Sequence, residues 1–474
     1  MAEAHDTLWA RLKRNFGHKH VWGELSGSVG DLGTFLPIVL ALVLVNKLDL
    51  GTTLLFTGAY NVVTGLLFGV PMPVQPMKSI AAVAITEGDP LTVNQIMAAG
   101  LSTALVLAIL GITGLMSMVN RLVPLPVVRG VQLSQGIAFG ITAVKYILKE
   151  QDLTKSKATG DRPWLGMDGL LLALSALCFI VLATGAGGGG GVHECGSESV
   201  GLLEEVDEEF TARSERRGRE GRSVGLPTAF MVFSVGVILA IARDPSVIWK
   251  LQIGPSIPHF LTITKEDWKI GFMRAAIPQI PLSILNSVIA VCKLSNDLFP
   301  SKDVSPFKVS VSVGLMNLVG CWWGAMPVCH GAGGLAGQYR FGAKTGAAVV
   351  FLGSAKILLS LVLGTSLVQL LAQYPIGLLG VLLFFSGLEL AMACRDQTSR
   401  TDAFVMITVT VVSLTNSSSA LGFGCGIALA LLLYIREVDF WARLWRRASR
   451  RVQGVRRPPG YDILTQTPEL GSYQ

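Results

Sequence analysis

The sequence predicts an all-α polytopic membrane protein of about fourteen transmembrane segments, built as two inverted seven-segment repeats with broken half-helices. Three observations predict it. Hydrophobic residues make up 51% of the 474-residue chain and charged residues 15%, against about 25% charged in soluble proteins. Long stretches such as Gly100–Asn120, Gly169–Gly191 and Gly225–Ile241 carry no charge at all. A Met-Pro-Val mark stands at 72–74 and again at 326–328, each beside a short apolar segment.

The segments follow from the apolar runs. These lie near 24–46, 50–70, 92–119, 125–148, 167–184, 225–242, 271–293, 306–323, 345–369, 371–394, 402–414 and 417–435, with shorter ones at 76–86 and 328–337. About 20 apolar residues cross a bilayer as a helix, so the two short runs cannot span alone. The organisation expected is a cytoplasmic segment over 1–22 and segments one to six of the first repeat over 23–184. A flexible cytoplasmic linker follows at 185–224, segment seven at 225–245, the second repeat at 246–436 and a basic cytoplasmic tail at 437–474. An even number of passes keeps both basic ends inside. Lys149, Lys155, Lys157 and Arg162 then fall on the wrong side.

Net charge is +7, concentrated late, where Arg436, Arg443, Arg446, Arg447, Arg450, Arg451, Arg456 and Arg457 follow Tyr434. A topogenic, lipid-facing tail explains these arginines more cheaply than nucleic-acid binding, so the bilayer is an expected partner and nucleic acid is not. The first twenty residues have no apolar core of a secretory signal, and Glu3 and Asp6 argue against a transit peptide. The seven cysteines show neither disulfide-framework nor zinc spacing. Nucleotide-loop and H-E-x-x-H signatures are absent, which leaves a non-enzymatic, gradient-driven carrier with no cofactor or bound metal.

Paired marks support a duplication. Asn61 corresponds to Asn317, Pro37 to Pro281, and Pro126 before Gly136 to Pro375 before Gly387, at separations of 244 to 256 residues. An odd-numbered unit, repeated, must sit inverted. Both Met-Pro-Val marks open an interrupted segment, and free N–H groups at two facing half-helix starts make an anion site. Pro76 suits a first helical turn. Gln75 offers amide donors and Lys78 a charge, although a snorkelling lysine is the simpler alternative. His330 opens the second half-helix and is either a ligand, a proton carrier or a core histidine. Gly331, Gly333, Gly334 and Gly337 allow backbone to approach a ligand. Gln279 and Asn286 interrupt another apolar span, as ligands or as interhelical glue. Asp31, among Gly27, Gly30 and Gly33, is a proton or cation partner or a cap for the next helix. Gln132, Gln135 and Glu389 are weaker candidates, and Glu389 is expected to pair with Lys145 or Lys356.

The stretches GELSGSVGDLGTFLPIVLAL, PVQPMKSIAAVAI, PQIPLSILNSVIAVCKLSNDLFP and AMPVCHGAGGLAGQYRFG resemble the plant-type molybdate transporters of the sulfate-permease superfamily. The resemblance covers about Gly23 to Tyr434. It implies that the repeats form a core domain and a gate domain, with substrate between the third and tenth half-helices, lined by Gln75, Lys78, Gln279, Asn286 and His330 to Gly334. Pro76, Met77, Ser79, Cys329 and Ala332 complete the expected substrate-binding set, with Asp31 and His330 as proton-coupling candidates. Fewer than about forty residues follow the last segment, too few for the regulatory STAS domain of sulfate permeases.

The expected function is high-affinity molybdate transport by alternating access, with proton symport to offset about 2.3 kcal/mol per charge per 100 mV. The alternatives are a sulfate or general oxyanion carrier, with sulfate otherwise a competitor, and an anion channel. A homodimer is compatible with this reading. Tyr461 to Leu464 match an adaptor-type sorting signal, which leaves plasma membrane and vacuolar membrane both open.

Overall fold

The computed structural model describes residues 21–85, 90–152, 157–185, 227–302, 304–415 and 419–437. The expected linker beyond Gly185, the basic tail and the sorting signal lie outside them. The packing below is all within the compact unit Met1–Gly426; of the second unit, from Ile427, the end of the last helix is described.

The chain is helical, with two short two-stranded ribbons. In order the elements are α1 (Val21–Ser28), α2 (Leu32–Asn46), α3 (Leu50–Phe68), β1 (Val74–Pro76), α4 (Lys78–Ala84), α5 (Val93–Ile112), α6 (Leu115–Leu122), α7 (Leu125–Leu148), β2 (Lys149–Asp152), β3 (Lys157–Asp161) and α8 (Leu170–Thr184). There follow α9 (Thr228–Arg243), α10 (Ser246–Lys250), the long α11 (Lys265–Leu298), α12 (Pro306–Gly320), β4 (Val328–His330), α13 (Ala332–Arg340), α14 (Ala347–Leu363), α15 (Leu367–Ala372), α16 (Ile376–Met392), α17 (Arg400–Thr415) and α18 (Ser419–Glu437). Six described helical stretches are long and apolar enough to cross a membrane, and Leu170–Thr184, Thr228–Arg243, Ile376–Met392 and Ala420–Arg436 are shorter apolar helices. Helices so long and apolar make this an integral, multi-pass membrane protein.

Two breaks position the site. Pro71 and Pro73 follow α3, which Gly69, with φ of 65°, closes in the left-handed region. Gly324, with φ of 73°, does the same after α12. The extended residues that follow meet as an antiparallel ribbon in which Val74 faces His330, Gln75 faces Cys329 and Pro76 faces Val328. The sequence led us to expect irregular backbone here. Strand pairing replaces it because each segment supplies the other's hydrogen-bond partners, which buried backbone requires. In α11 the residues around Pro278 and Pro281 are wound as π-helix over Phe272–Ala276 and Ser283–Ala290, where proline cannot supply the α-helical hydrogen bond.

The principal helix pairs are α3 with α14, α5 with α12 and α7 with α16. The last pair crosses at two glycines that the sequence had matched. A Cβ built on Gly136 would stand 2.7 Å from the Gly387 carbonyl oxygen, and one on Gly387 2.7 Å from that of Gly136. Only glycine permits this backbone approach.

Arg162, one of the misplaced positive charges, is buried. Its guanidinium donates to the carbonyls of Tyr146, Ile147 and Lys149 and pairs with Asp168 at 2.5 Å. It closes the C-terminus of α7 and is no free topogenic charge. Lys149 pairs with Asp161 across the β2–β3 ribbon.

Candidate functional site

The antiparallel β1–β4 ribbon leads into α4 at one end and into α13 at the other, so the two half-helices start from opposite ends of three residue pairs. Asn61 of α3 accepts from Val74 N at 2.8 Å. Asn317 of α12 accepts from Val328 N at 2.7 Å and donates to the Val328 carbonyl at 2.6 Å. Met77 N donates to the Pro327 carbonyl at 3.0 Å. These bonds fix where Gln75, Lys78 and Gly331 stand.

Gln75 is buried and its Nε2 donates to Asp31 Oδ1. Asp31 immediately precedes α2 but makes no capping bond, which removes the helix-cap alternative. Its carboxylate is wholly buried and Oδ2 has no hydrogen-bond partner. The start of α13 lies against both side chains. A Cβ on Gly331 would fall 1.7 Å from Gln75 Oε1, and one on Gly334 2.4 Å from Gln75 Nε2 and 2.7 Å from Asp31 Oδ1. Glycine here makes room for a polar cluster against a helix start. The amides of buried Ala332, Gly333 and Gly334 precede the first bond of the helix, Leu335 N to the Gly331 carbonyl.

Lys78 Nζ is buried without a hydrogen-bond partner, so it does not snorkel to an interface. It stands 4.1 Å from the centroid of Phe139, and the same ring packs against Gly333, where a Cβ would lie 2.1 Å from it. Phe139 of α7 thus covers Lys78 and the start of α13 together.

The start of α4 differs. Gln279 Oε1 accepts from Ser79 N at 2.9 Å and Ile80 N at 3.4 Å, while its Nε2 donates to Ser283 at 2.7 Å. Gln279 is a cap on this half-helix, from the α-helical turn between the two π-segments of α11. Asn286, one π-segment further on, is buried with Oδ1 unpartnered. Cys329 is buried and hydrogen-bonded to Ser287. His330 shares Nε2 with Ser312 Oγ at 3.2 Å and stacks edge-on to Phe68 at 5.7 Å. It packs against α3 and α12, away from the carboxylate. Pro76 and Met77 are buried in the ribbon and its exit.

Some groups escaped the sequence. Phe139 gave no signal, because a phenylalanine in an apolar helix reads as core. Lys356 is one of the two lysines, with Lys145, that the sequence offers to Glu389, but its Nζ is buried without a hydrogen-bond partner 3.6 Å over the ring of Phe35, and the charge acting on it is Asp31. Glu389 acts instead with Arg340, Lys344 and Arg395. Gln132 is glue, accepting from Arg129 and donating to the Ala290 carbonyl.

A family model described as "Molybdate transporter of MFS superfamily" matches residues 23–139 and 271–390. Molybdate transporter 2 of Arabidopsis thaliana is 58% identical over 385 residues, 81% of each chain. Molybdate transporter 1 of the same plant is 53% identical over 402 residues, 84% of this chain and 86% of that one. Among solved structures, murine Slc26a9, an anion transporter in the inward-facing state, has a TM-score of 0.57 at 16% identity, covering 91% of this chain and 71% of that one. The transmembrane domain of the cyanobacterial bicarbonate transporter BicA has 0.52 at 15%, covering 85% and 97%. These two likenesses concern the fold. With a matching family model and relatives above half identity over most of its length, the chain belongs to the molybdate transporter family.

Proposed function

We propose that this chain carries molybdate across a membrane as a secondary carrier. The anion lies between the Lys78 ammonium and the amides of Ala332, Gly333 and Gly334, beneath Phe139 and beside Gln75. One observation carries this: a lysine ammonium buried at the start of α4 with no protein group to receive its hydrogen bonds, under the same Phe139 ring that packs against the start of α13. A buried cation without a partner is expensive and marks a function. Asn286 and the Gln279 cap flank the same place. A tetrahedral oxyanion needs many donors, which amides and an ammonium supply. The relatives' names give molybdate as the substrate to test first.

Alternating access fits two halves that each bring one half-helix. The fourteen-segment inverted repeat is supported by the family match falling on two stretches whose starts are 248 residues apart, by Asn61 and Asn317 in like roles, and by the Gly136–Gly387 crossing. Both termini are then cytoplasmic. Asp31, facing Gln75 and two lysines, is the better placed proton carrier; His330 has a hydroxyl and a phenyl ring for neighbours.

The test is molybdate uptake by purified protein in liposomes, with excess sulfate as competitor, for wild type and Lys78→Ala. Saturable, sulfate-resistant uptake that collapses in the variant is expected. Full competition by sulfate would make the protein a general oxyanion carrier, and non-saturating flux a channel. Undiminished uptake by Lys78→Ala would remove the site.

A further inference from the structure

Three charged groups are buried in and beside the site, Asp31, Lys78 and Lys356, and the reading above gives Lys356 no role of its own. Asp31 is 0% and Lys356 4% exposed, and neither Lys356 Nζ nor Asp31 Oδ2 has a hydrogen-bond partner. Lys356 reaches from α14 to α2, where its ammonium rests 3.6 Å from the centroid of Phe35, one helical turn beyond Asp31. Lys356 is the positive charge that acts most strongly on Asp31, and Lys78 the next. Of the elements packed against α2, α16 adds a further titratable group, Glu389, which is engaged by Arg340, Lys344 and Arg395, and Cys329 of β4 also feels the charge of Asp31.

Charge counting follows. Two ammonium groups and one carboxylate leave a single positive charge in a buried site, enough for a monoanion. Molybdate is a dianion. In a low-dielectric interior charges act over several ångströms without contact, so an uncompensated one is felt throughout the site. Protonating Asp31 removes its negative charge and leaves two cations for the two charges of the substrate.

We propose that Lys356 is the second cation of the anion site. It neutralises Asp31 in the empty carrier, and it turns to the dianion when Asp31 takes a proton from water on the loading side. The proton leaves Asp31 with the anion on the other side, and Lys356 again faces the carboxylate. Lys356 acts through charge and positions no atom of the substrate. This rests on molybdate transport as proposed above.

The experiment is liposome uptake of molybdate at acidic and neutral external pH by wild type, Lys356→Gln, Asp31→Asn and the Asp31→Asn/Lys356→Gln double variant, with melting of each in detergent. Wild-type uptake should rise on acidification. Lys356→Gln leaves a buried carboxylate facing an incoming dianion and should lose at least about tenfold in uptake. The double variant has the charge of the wild-type resting site and no group to titrate. It should melt above Lys356→Gln, because the lone buried carboxylate is gone, yet stay at least about tenfold below wild type in uptake, since one ammonium then meets a dianion, and be insensitive to pH. A lysine that only packs on Phe35 would not have its lost stability restored by a change at Asp31. Undiminished uptake by Lys356→Gln, or a double variant that melts no higher than the single one or regains wild-type uptake, overturns the proposal. Should Lys356→Gln fail to fold, Asp31→Asn decides: it must still show a molybdate-dependent rise in melting temperature, and uptake as acid-stimulated as wild type sinks the idea. A wild type that takes up no molybdate overturns the transport reading and this proposal together, whereas wild-type uptake with unresponsive variants overturns this proposal alone.

Discussion

Asn61 and Asn317 perform the same act 256 residues apart: each lends its side-chain oxygen to the backbone amide of a central strand, Val74 N at 2.8 Å and Val328 N at 2.7 Å. Each asparagine projects from the helix that precedes its own broken segment. The bonds hold the ribbon's edge amides, which have no water to turn to, and so hold the half-helix starts in place.

The two are not equal in number of bonds. Asn317 Nδ2 also donates to the Val313 and Val328 carbonyls, at 2.8 and 2.6 Å, whereas Asn61 Nδ2 has no partner. Replacing either by leucine strands a buried amide, at about 1–3 kcal/mol. Asn317→Leu strands the Val328 carbonyl as well. The expected outcome is a lower melting temperature for both, and a clearly larger drop for Asn317→Leu. Equal drops would mean the extra bonds contribute nothing.

Much of this was legible beforehand, and the residues show why. Proline and glycine punctuate the chain through backbone geometry, which is local, so both breaks and every long helix could be placed from sequence. The correspondence of Asn61 with Asn317 and of Gly136 with Gly387 was legible because these marks recur in the same order at similar separations. Partnerships between distant side chains were not. Asp31 read equally well as a cap, Gln279 as a ligand and Lys356 as a partner of Glu389. Each is decided by which helix packs beside it, and that depends on the whole fold. The ribbon was hidden too, since three residues with two prolines nearby carry no strand period.

Gly334 brings α13 against Gln75 and Asp31 at once. Alanine there would place a Cβ 2.4 Å from Gln75 Nε2 and 2.7 Å from Asp31 Oδ1, and the Pro73 ring, at 2.6 Å, blocks relief on the third side. Gln75 must leave Asp31. Gly334→Ala should therefore reduce molybdate uptake more than about tenfold, given that misplacement of about 1 Å at such a site costs far more than that. Gly140→Ala, on α7 with nothing within 4 Å of the new Cβ, is the control and should transport normally. Equal uptake by both would show that the cluster tolerates displacement.

Phe139 lies over Lys78 and against Gly333. Its face offers the ammonium a cation–π contact of about 0.5–2 kcal/mol, and its bulk keeps water from the half-helix starts. Phe139→Leu keeps the volume and loses the quadrupole, while Phe139→Ala loses both. If charge stabilisation is what matters, both variants should weaken uptake alike. If covering the site matters, Phe139→Leu should stay near wild type and Phe139→Ala should leak anion without saturation. Concentration-dependent uptake by the two variants separates these outcomes.

At the ends of α7, α11 and α16 a buried guanidinium joins three elements. Arg129, 3% exposed in its side chain, meets Asp297 at 2.6 Å and Asp396 at 2.5 Å, and Lys293 meets the same Asp297 at 2.7 Å. Asp396 follows α16, outside the helix. Its partial burial would raise its pKa, but the bonds from Arg129 and Gln397 outweigh this and hold it below the usual carboxylate range. A depressed carboxylate stabilises the fold in full above its unfolded value, about 3.9, and that contribution disappears as pH falls through the lower folded value. Acidification below about pH 4 should therefore cost wild type this contribution, and Asp396→Asn should melt lower at neutral pH and respond less to acid over the same window. Removing the cation is the harsher change. Arg129→Gln leaves Asp297 and Asp396 facing each other at the junction of three helices, so it should destabilise by more than either aspartate change alone. The double variant Asp396→Asn/Arg129→Gln should recover part of that loss, because one of the two unpaired carboxylates is gone. Melting curves of the single and double variants at neutral and acid pH check both the sign and the coupling; additive losses would mean that Arg129 holds the helices together by packing and not by charge.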